Sequence, residues 1–201
     1  MSTAHSGRLL LVRHGETEWS RDKLHTGRTD IALTALGEQQ ARELADVLSS
    51  VRPVLALSSP RARAVRTAEL AGLAGVVLDD DLVEWDYGEY EGRTTAEIRQ
   101  NRPGWTIWTG NPPGGETAEQ VAVRADRVLR RIEAVLPEGD VVIVGHGHHL
   151  RMLTTRWLDL APSAGQGFSL DTATVGVLGF EHDHHAVRRW NLPAAAAAGA
   201  L

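Results

Sequence analysis

The chain has 201 residues, of which 42% are hydrophobic, so it can bury a sizeable core and is not a disordered chain. It contains no cysteine, which excludes a disulfide framework, a thiol nucleophile and a thiolate metal site. The formal net charge is −5 and the arginines are scattered, whereas nucleic-acid binders usually have a basic excess, so we expect no nucleic-acid partner.

The N-terminal apolar run, Leu9–Val12, is too short for a signal peptide or a membrane span. We therefore expect a cytoplasmic protein without a membrane partner. The length fits one domain over residues 1–201, and neither a linker nor an internal repeat is visible. The sequence carries no signal for the oligomeric state, and a homodimer is only a guess.

Short, wholly apolar runs alternate with helical patterns in the first half of the chain. Thr34 can cap a helix that should extend to about Ser49. Ser59 and Pro60 supply a cap and a first-turn proline for a second helix, which should extend to about Ala71. The predicted strands of this half are Leu9–Val12, Val54–Leu57 and Val76–Leu78.

The stretch from Glu84 to Gly115 is irregular. It is rich in glycine and proline, and it holds three of the six tryptophans of the chain. Within it the sequence predicts one helix, near Thr95–Gln100. A long, aromatic-rich excursion inside a compact domain is usually functional, so residues 85–115 are predicted to form a lid-like insertion.

The second half begins with a long helix. Thr117 and Gln120 form a capping-box pattern, and apolar residues continue at helical spacing from Val121 to Val135. The elements predicted after this helix are the strand Val141–Val144, the helix Leu150–Leu158 and a hairpin of Val175–Phe180 with Ala186–Trp190. The alanine-rich tail, about residues 193–201, should be disordered.

Strands that are apolar throughout and alternate with helices predict an α/β fold, a three-layer α/β/α sandwich around a mostly parallel sheet. In open α/β sheets, ligands bind outside the carboxyl ends of the strands. Charged and catalytic residue types follow four of the predicted strands. They are Arg13 with His14, then Arg61 and Arg63, then Glu84, and then His146. We therefore expect these residues to converge at one edge of the sheet.

This set suits transfer of a phosphoryl group. The planar guanidinium of arginine matches phosphate oxygens, and a neutral histidine can attack phosphorus and carry the group covalently. A second histidine can donate to a phosphate oxygen, and a glutamic acid can protonate the leaving oxygen. Neighbouring arginines should lower the pKa of His14, and Glu84 must be protonated to act as the acid. We therefore expect a bell-shaped rate profile with an acidic to near-neutral optimum.

Two histidine clusters are not expected to bind a metal. His146, His148 and His149 lie within four residues, but the last two point different ways at a helix start. No cysteine or nearby acid completes a metal shell there. The cluster from His182 to His185 should form the turn of the last hairpin. No metal or cofactor is therefore expected.

Four segments resemble the signatures of the histidine phosphatase superfamily, which is also called phosphoglycerate mutase-like. They are LVRHGET, SSPRARAVRTA, LVEWDYGEYEG and VGHGHHLR, and the resemblance spans most of the chain. It implies that His14 is the nucleophile that becomes phosphohistidine and that Glu84 is the proton donor. It also implies that Arg13, Arg63 and His146 form the phosphate pocket.

Within the superfamily, the stretches EWSRDKLHTGRTDIALT and EWDYGEYEG are similar to those of sugar-phosphate and broad-specificity acid phosphatases. Mutase-type members tend to carry asparagine where this chain has Ser20, with a longer insertion after the donor segment and a longer C-terminal tail. The resemblance places a further set of residues around the phosphate or the leaving group: Ser20, Thr26, Gly27, Tyr87, Gly147 and His148.

Three functions remain open from the sequence. The first is a histidine acid phosphatase-type phosphomonoesterase that hydrolyses small phosphorylated metabolites through phosphohistidine. The alternative is a cofactor-dependent phosphoglycerate mutase, which must exclude water from the phosphoenzyme. A non-catalytic phospholigand-binding protein is the third, and it is disfavoured because every catalytic position holds a competent residue.

Overall fold

The structure, a computed structural model, describes residues 7–197. The strands in this range are β1 Leu9–Arg13, β2 Leu55–Ser58, β3 Val77–Leu78, β4 Val141–Gly145, β5 Thr174–Glu181 and β6 His184–Pro193. They form one sheet in the order β3-β2-β4-β1-β5-β6. The first four strands along the chain pair in parallel, β5 pairs antiparallel with β1, and β6 pairs antiparallel with β5. The mostly parallel sheet expected from the sequence is confirmed.

Helices connect these strands. They are α1 Glu18–Arg21, α2 Ala35–Leu48, α3 Ala62–Leu70, α4 Thr95–Asn101, α5 Ile107–Gly110, α6 Ala118–Glu133, α7 Gly147–Trp157 and α8 Ala194–Ala197. Short 3₁₀ turns lie at Asp80–Leu82, Gly88–Tyr90, Leu136–Glu138 and Pro162–Gly167. The predicted Thr34 cap and the capping box of Thr117 with Gln120 are both present. Of the described helices, none is long and apolar enough to cross a membrane.

The two faces of the sheet have separate cores. Along β1, Leu9 and Leu11 belong to a cluster with residues of α6 and α7, whereas Leu10 and Val12 belong to one with residues of α2 and α3. Successive residues of a strand point to opposite faces, and these four side chains are completely buried. The predicted three-layer α/β/α sandwich is therefore confirmed.

The starts of two helices were predicted wrongly, and both errors have the same cause. The helix α7 begins at Gly147 rather than Leu150, because the carboxylate of Glu84 accepts hydrogen bonds from the backbone N–H groups of its first turn. The helix α3 begins at Ala62 rather than at Pro60. Its first N–H donates to the carboxylate of Asp30 at 2.9 Å, so the cap comes from a distant residue.

The irregular stretch contains more regular structure than expected. The helix near Thr95–Gln100 is confirmed as α4, but α5 was not predicted. Three tryptophan side chains of the stretch, Trp85, Trp105 and Trp108, are at most 5% exposed. The rings of the first and third meet edge to face at 5.4 Å. This part of the chain is thus packed against the core, and its role as a lid stays a prediction.

The expectation of a disordered tail over residues 193–201 is wrong for its first part. Pro193 ends β6, and Ala194 and Ala197 of α8 pack against the core cluster of α2 and α3. Alanine has a high helix propensity and little side-chain entropy to lose, so a short turn that buries two methyl groups can form. Residues 198–201 lie outside the described residues.

Gly15 is a position where the fold leaves no room for a side chain. A Cβ at Gly15 would lie 2.3 Å from the carbonyl oxygen of Gly37, at the start of α2. We expect Gly15→Ala to destabilise the protein by about 1–3 kcal/mol, because two backbone segments must separate. Urea unfolding measures this. Gly167→Ala is the matched control, since a Cβ there meets nothing within 4 Å, and equal destabilisation by both changes would contradict the argument.

Candidate active site

A cavity of about 500 Å³ lies at the carboxyl end of β1, beside the first turn of α7. Most of the residues that the sequence pointed to line it: Arg13, His14, Ser20, Thr26, Glu84, Tyr87, Gly147 and His148. Its volume is that of a site for a small molecule. The predicted convergence of these residues at one sheet edge is therefore present in the structure.

His14 follows the last residue of β1 and is 5% exposed. Its backbone N–H donates to the carbonyl of Gly145, the last residue of β4, at 3.0 Å. Its ring Nδ1 lies 2.7 Å from the carbonyl oxygen of Gly15. A carbonyl oxygen can only accept, so Nδ1 carries the proton and Nε2 keeps its lone pair.

The electrostatic environment keeps the ring of His14 neutral. Burial lowers the pKa of His14 well below its usual value, and the positive charges of Arg63 and Arg13 lower it further. The sequence had suggested the arginines as the cause, whereas burial is the larger one. The neutral ring can thus offer the lone pair of Nε2 as a nucleophile at the cavity wall.

Arg63 and His146 lie behind His14. Both side chains are completely buried, and the rings of His14 and His146 are 5.2 Å apart. The Nε–H of Arg63 donates to Nδ1 of His146 at 3.2 Å. The proton of His146 must therefore be on Nε2, which donates to Oγ of Ser59 at 2.7 Å. Direct contact of this pair with a phosphate stays a prediction.

The loop that follows α1 is held by the same guanidinium. Arg63 donates to the carbonyl oxygens of Thr26, Gly27 and Thr29 at 3.0 to 3.1 Å. Gly27 also donates its own N–H to Glu91 at 2.8 Å. A Cβ at Gly27 would lie 2.3 Å from a backbone oxygen, so only glycine fits there. Gly27 therefore acts by supporting the cavity wall.

Glu84 is 7% exposed, and backbone N–H groups surround its carboxylate. Oε1 accepts from Trp85 at 2.9 Å and from His149 at 2.8 Å, and Oε2 accepts from His148 at 3.0 Å. Two of these donors belong to the first turn of α7, where a negative charge is stabilised. Oε2 has one such partner and Oε1 has two, so Oε2 is the oxygen with room for a proton.

Arg124 of α6 anchors the segment that carries Glu84. One of its Nη atoms donates to the carbonyls of Asp81 and Val83 at 2.7 and 3.1 Å. Its other N–H groups form a two-point contact with the carboxylate of Glu116. These hydrogen bonds fix the backbone immediately before Glu84. Arg124 therefore holds the segment that carries Glu84, while α7 holds its carboxylate.

Neutral aromatic rings form another part of the wall. The hydroxyl of Tyr87 lies 2.6 Å from Nδ1 of His148, and the ring of His25 lies 4.7 Å from that of Tyr87. Burial, helped by the charge of Glu84, raises the pKa of Tyr87 well above its usual value. Burial lowers the pKa of His148 strongly and that of His25 to about 4. This wall can exchange hydrogen bonds with a ligand without carrying charge.

The hydroxyls of Ser20 and Thr26 line the cavity but have other partners. Oγ of Ser20 donates to the carbonyl of Thr17 at 3.0 Å, and it accepts from the N–H of Thr17 at 2.9 Å in the capping box of α1. Oγ1 of Thr26 donates to the carbonyl of Leu24 at 3.0 Å. Each hydroxyl would have to rotate before it could donate to a phosphate.

The sequence reasoning missed several lining residues: Lys23, His25, Arg99, Arg151 and Asp171. Arg151 could have been found, because it lies three residues after His148 and therefore on the same face of a helix. Trp108 was expected only as a general apolar wall, and it does line the cavity.

The described chain matches the model of a known family over most of its length. The description of that family is "Histidine phosphatase superfamily (branch 1)", and the match covers residues 9–193. An acid phosphatase from Mycobacterium tuberculosis (strain ATCC 25618 / H37Rv) is 43% identical over 178 residues, which is 87% of each chain. A sedoheptulose 1,7-bisphosphatase from Saccharomyces cerevisiae (strain ATCC 204508 / S288c) is 35% identical over 76% of this chain and 68% of its own length.

Solved structures agree with these similarities. The structure of open reading frame Rv3214 from Mycobacterium tuberculosis has a TM-score of 0.90 at 41% identity, covering 94% of this chain and 98% of that one. A probable phosphoglycerate mutase, GpmB of Salmonella paratyphi C (strain RKS4594), is 29% identical over 90% of this chain and 89% of its own length. This chain is thus similar both to proteins named as phosphatases and to a protein named as a probable mutase.

The buried histidines predict how stability depends on pH. The folded-state pKa of His25 is about 4, whereas the unfolded chain binds the proton near pH 6.5. As the pH is lowered from about 6.5 to about 4, the unfolded chain binds a proton that the folded protein does not. The free energy of unfolding should therefore decrease over this range, by about 1.4 kcal/mol per pH unit for this residue. Urea unfolding across this range should show a shallower decline for His25→Gln. His182→Gln, which removes an exposed ring, should leave the slope unchanged, and identical slopes for all three proteins would refute the argument.

Proposed function

The chain belongs to the histidine phosphatase superfamily (branch 1), and from this premise we propose that it hydrolyses phosphomonoesters of small metabolites through a phosphohistidine at His14. The observation that carries the proposal is the state of that ring. Its Nδ1–H is held by a backbone carbonyl, and its neutral Nε2 lies at a cavity with Arg13 and Glu84. The relatives named phosphatase support hydrolysis as the reaction.

Arg13 is the group that would hold the phosphate. Its Nη1 donates to the carbonyl of Leu170, and its Nε is buried without an acceptor among the described residues. A buried donor without a partner is costly, and a phosphate oxygen would supply the missing acceptor. Gly147 allows this approach, since a Cβ there would lie 3.3 Å from the guanidinium carbon of Arg13.

The first step transfers the phosphoryl group to the enzyme. The lone pair of His14 Nε2 forms a bond to phosphorus while the bond from phosphorus to the ester oxygen breaks. A proton moves from the carboxyl of Glu84 to that oxygen, which leaves as an alcohol. The products of the step are phosphohistidine and the Glu84 carboxylate, which the first turn of α7 stabilises.

The second step returns the enzyme to its starting state. Water attacks phosphorus, its proton moves to the carboxylate of Glu84, and the bond between nitrogen and phosphorus breaks. Orthophosphate leaves, and His14 is again neutral. Since the same carboxyl group acts first as an acid and then as a base, its position between α7 and the cavity serves both steps.

The nucleophile is tested by His14→Asn. We expect turnover of p-nitrophenyl phosphate and of small sugar phosphates to fall by at least about 10³-fold, because the covalent route is removed. Radiolabelled substrate quenched during turnover should leave acid-labile label on the wild type and none on the variant. His182→Asn on the exposed hairpin turn is the matched control. Turnover of His14→Asn near the wild-type rate would refute the proposal.

The same assay decides between hydrolysis and transfer. With 3-phosphoglycerate as substrate, we expect release of phosphate to exceed formation of 2-phosphoglycerate. A larger flux to 2-phosphoglycerate would favour the mutase alternative, which the similarity to GpmB supports.

The proton donor is tested by Glu84→Gln. The amide oxygen can still accept from Trp85 and His149, and only the bond from His148 is lost, so the fold should persist, but the side chain cannot donate an acid proton. We expect sugar phosphates to be hydrolysed about 10²–10⁴-fold more slowly, and p-nitrophenyl phosphate to be affected much less, because its leaving group needs little protonation. Glu89→Gln is the control. Equal losses with both substrates would show that another carboxyl, such as that of Asp86, is the donor.

A further inference from the structure

The guanidinium of Arg13 is held by a single carbonyl group. Within residues 7–197, its one hydrogen bond runs from Nη1 to the carbonyl oxygen of Leu170. An arginine side chain has several rotatable bonds, so a guanidinium with one fixed N–H can still be misdirected if its acceptor moves. The position of the Leu170 carbonyl therefore decides where the cation beside His14 is aimed.

Leu170 belongs to the segment 168–173, which lies between the turn Pro162–Gly167 and β5 and is neither helix nor strand. One end of this segment is tied to the backbone of the site. The N–H of Ala173 lies 3.2 Å from the carbonyl oxygen of Arg13 and 3.1 Å from that of His14. Leu170 is three residues before this anchor, so its carbonyl needs a support of its own.

The strand β6 supplies that support through two neighbouring side chains. The N–H of Asp171 donates to Oδ1 of Asn191 at 2.7 Å, and Nδ2 of Asn191 donates to Oδ2 of Asp171 at 2.9 Å. The indole N–H of Trp190 donates to the carbonyl of Ser169. The residues on both sides of Leu170 are thus bound to β6.

A β-bulge aims both of these side chains at the segment 168–173. Between two paired positions, β5 has one residue, Gly176, whereas β6 has two, Trp190 and Asn191. In a regular strand such neighbours would point to opposite faces of the sheet, and a bulge redirects them. Gly176 leaves room for this arrangement, because a Cβ there would lie 3.0 Å from the indole ring of Trp190.

Asparagine suits position 191 for two reasons. Its φ of 54° lies in the left-handed region, which asparagine and aspartate tolerate better than most residues with a Cβ. Asp171 presents an N–H that needs an acceptor and a carboxylate that needs a donor, and a side-chain amide supplies both. Glycine would fit the backbone without supplying either group, and aspartate would supply only the acceptor.

We propose that Asn191 is a positioning residue of the active site, acting on a bound phosphate through Asp171, Leu170 and Arg13. By holding Asp171 it fixes the Leu170 carbonyl that takes Nη1 of Arg13. The Nε–H of Arg13, which has no acceptor among the described residues, is thereby directed to a phosphate oxygen. The inference rests on the proposed function, in which Arg13 holds the phosphate, and it adds a residue of the antiparallel part of the sheet.

The charge of Asp171 is a competing explanation for any effect of this pair. Burial lowers the pKa of Arg13, and the negative charges of Glu84 and Asp171 oppose this shift. Asp171 also lines the cavity, so its carboxylate lies near any anion bound there. The decisive variants therefore change the hydrogen bonds and the charge separately.

The first measurement is the Kd for inorganic phosphate, obtained by calorimetry. In Asn191→Asp the new side chain tolerates the backbone and accepts from the N–H of Asp171, but it cannot donate and it repels the carboxylate. We expect the Kd to rise at least about 10-fold, because a charged hydrogen bond to phosphate is weakened. Asp171→Asn should change it by less than about 3-fold, since the hydrogen bonds persist and an exposed charge contributes little.

The rescue variant exchanges the two side chains, combining Asp171→Asn with Asn191→Asp. Donor and acceptor are then reversed, and both hydrogen bonds can form again. The Kd for phosphate should return to within about 3-fold of the wild-type value. A merely local loss of packing at position 191 would not be repaired by a second change at position 171.

Asp140→Asn is the matched control for stability. Asp140 accepts from the backbone and the guanidinium of Arg8, at the starts of β4 and β1 and thus at the edge of the sheet away from His14. Urea unfolding should show destabilisation by this change, whereas its Kd for phosphate should equal that of the wild type. An affinity loss that merely follows stability would appear in both Asp140→Asn and Asn191→Asp.

The ¹⁵N NMR signal of the Arg13 Nε–H reports its position without phosphate and without turnover. The signal, assigned by its loss in Arg13→Lys, should shift in Asn191→Asp and stay in place in Asp140→Asn. Unchanged phosphate affinity in Asn191→Asp, or failure of the exchanged pair to restore it, overturns the inference even if His14 proves to be the nucleophile. A wild type that binds no phosphate contradicts the proposed role of Arg13, and the NMR signal then decides alone whether Asn191 positions its guanidinium.

Discussion

The buried guanidinium of Arg63 is the interaction on which the site depends. A completely buried cation is costly unless its N–H groups find acceptors, and here they donate to Nδ1 of His146 and to the carbonyls of the loop 26–29. One side chain thereby holds a loop and sets the tautomer of one histidine, and its charge adds to the effect of burial, which is the main cause of the lowered pKa of His14. The rings of His14 and His146 are thus neutral and lie close to the charge of Arg63.

The residues next to strands could be predicted because a short, wholly apolar strand determines where the next residue lies. Arg13 ends β1, His14 follows it, and His146 follows the last residue of β4. The placement of Glu84 was less direct, since β3 ends at Leu78 and the intervening turn is irregular. It comes to the same edge because α7 needs an acceptor at its first turn.

The part of the cavity wall that Lys23 and Arg99 form could not be predicted, because distant parts of the chain determine it. Lys23 and Arg99 share a wall only because Leu24 bridges Thr94, and a periodic pattern describes neighbours along one element only. The true start of α7 has the same origin, since the carboxylate that caps it is 64 residues earlier than His148. Local signals therefore predict the residues that directly follow strands, whereas long-range contacts determine the rest of the cavity wall.

The position of β1 in the middle of the sheet has a consequence for folding. Its partners are β4 and β5, so Leu9 pairs with Val141 on one side and with Leu178 on the other. The strand β1, which His14 follows, is therefore synthesised well before both of its neighbours. Contacts of such sequence separation close slowly, and an unpaired apolar strand is prone to association while it waits. The surroundings of His14 can therefore form only after both β4 and β5 have been made.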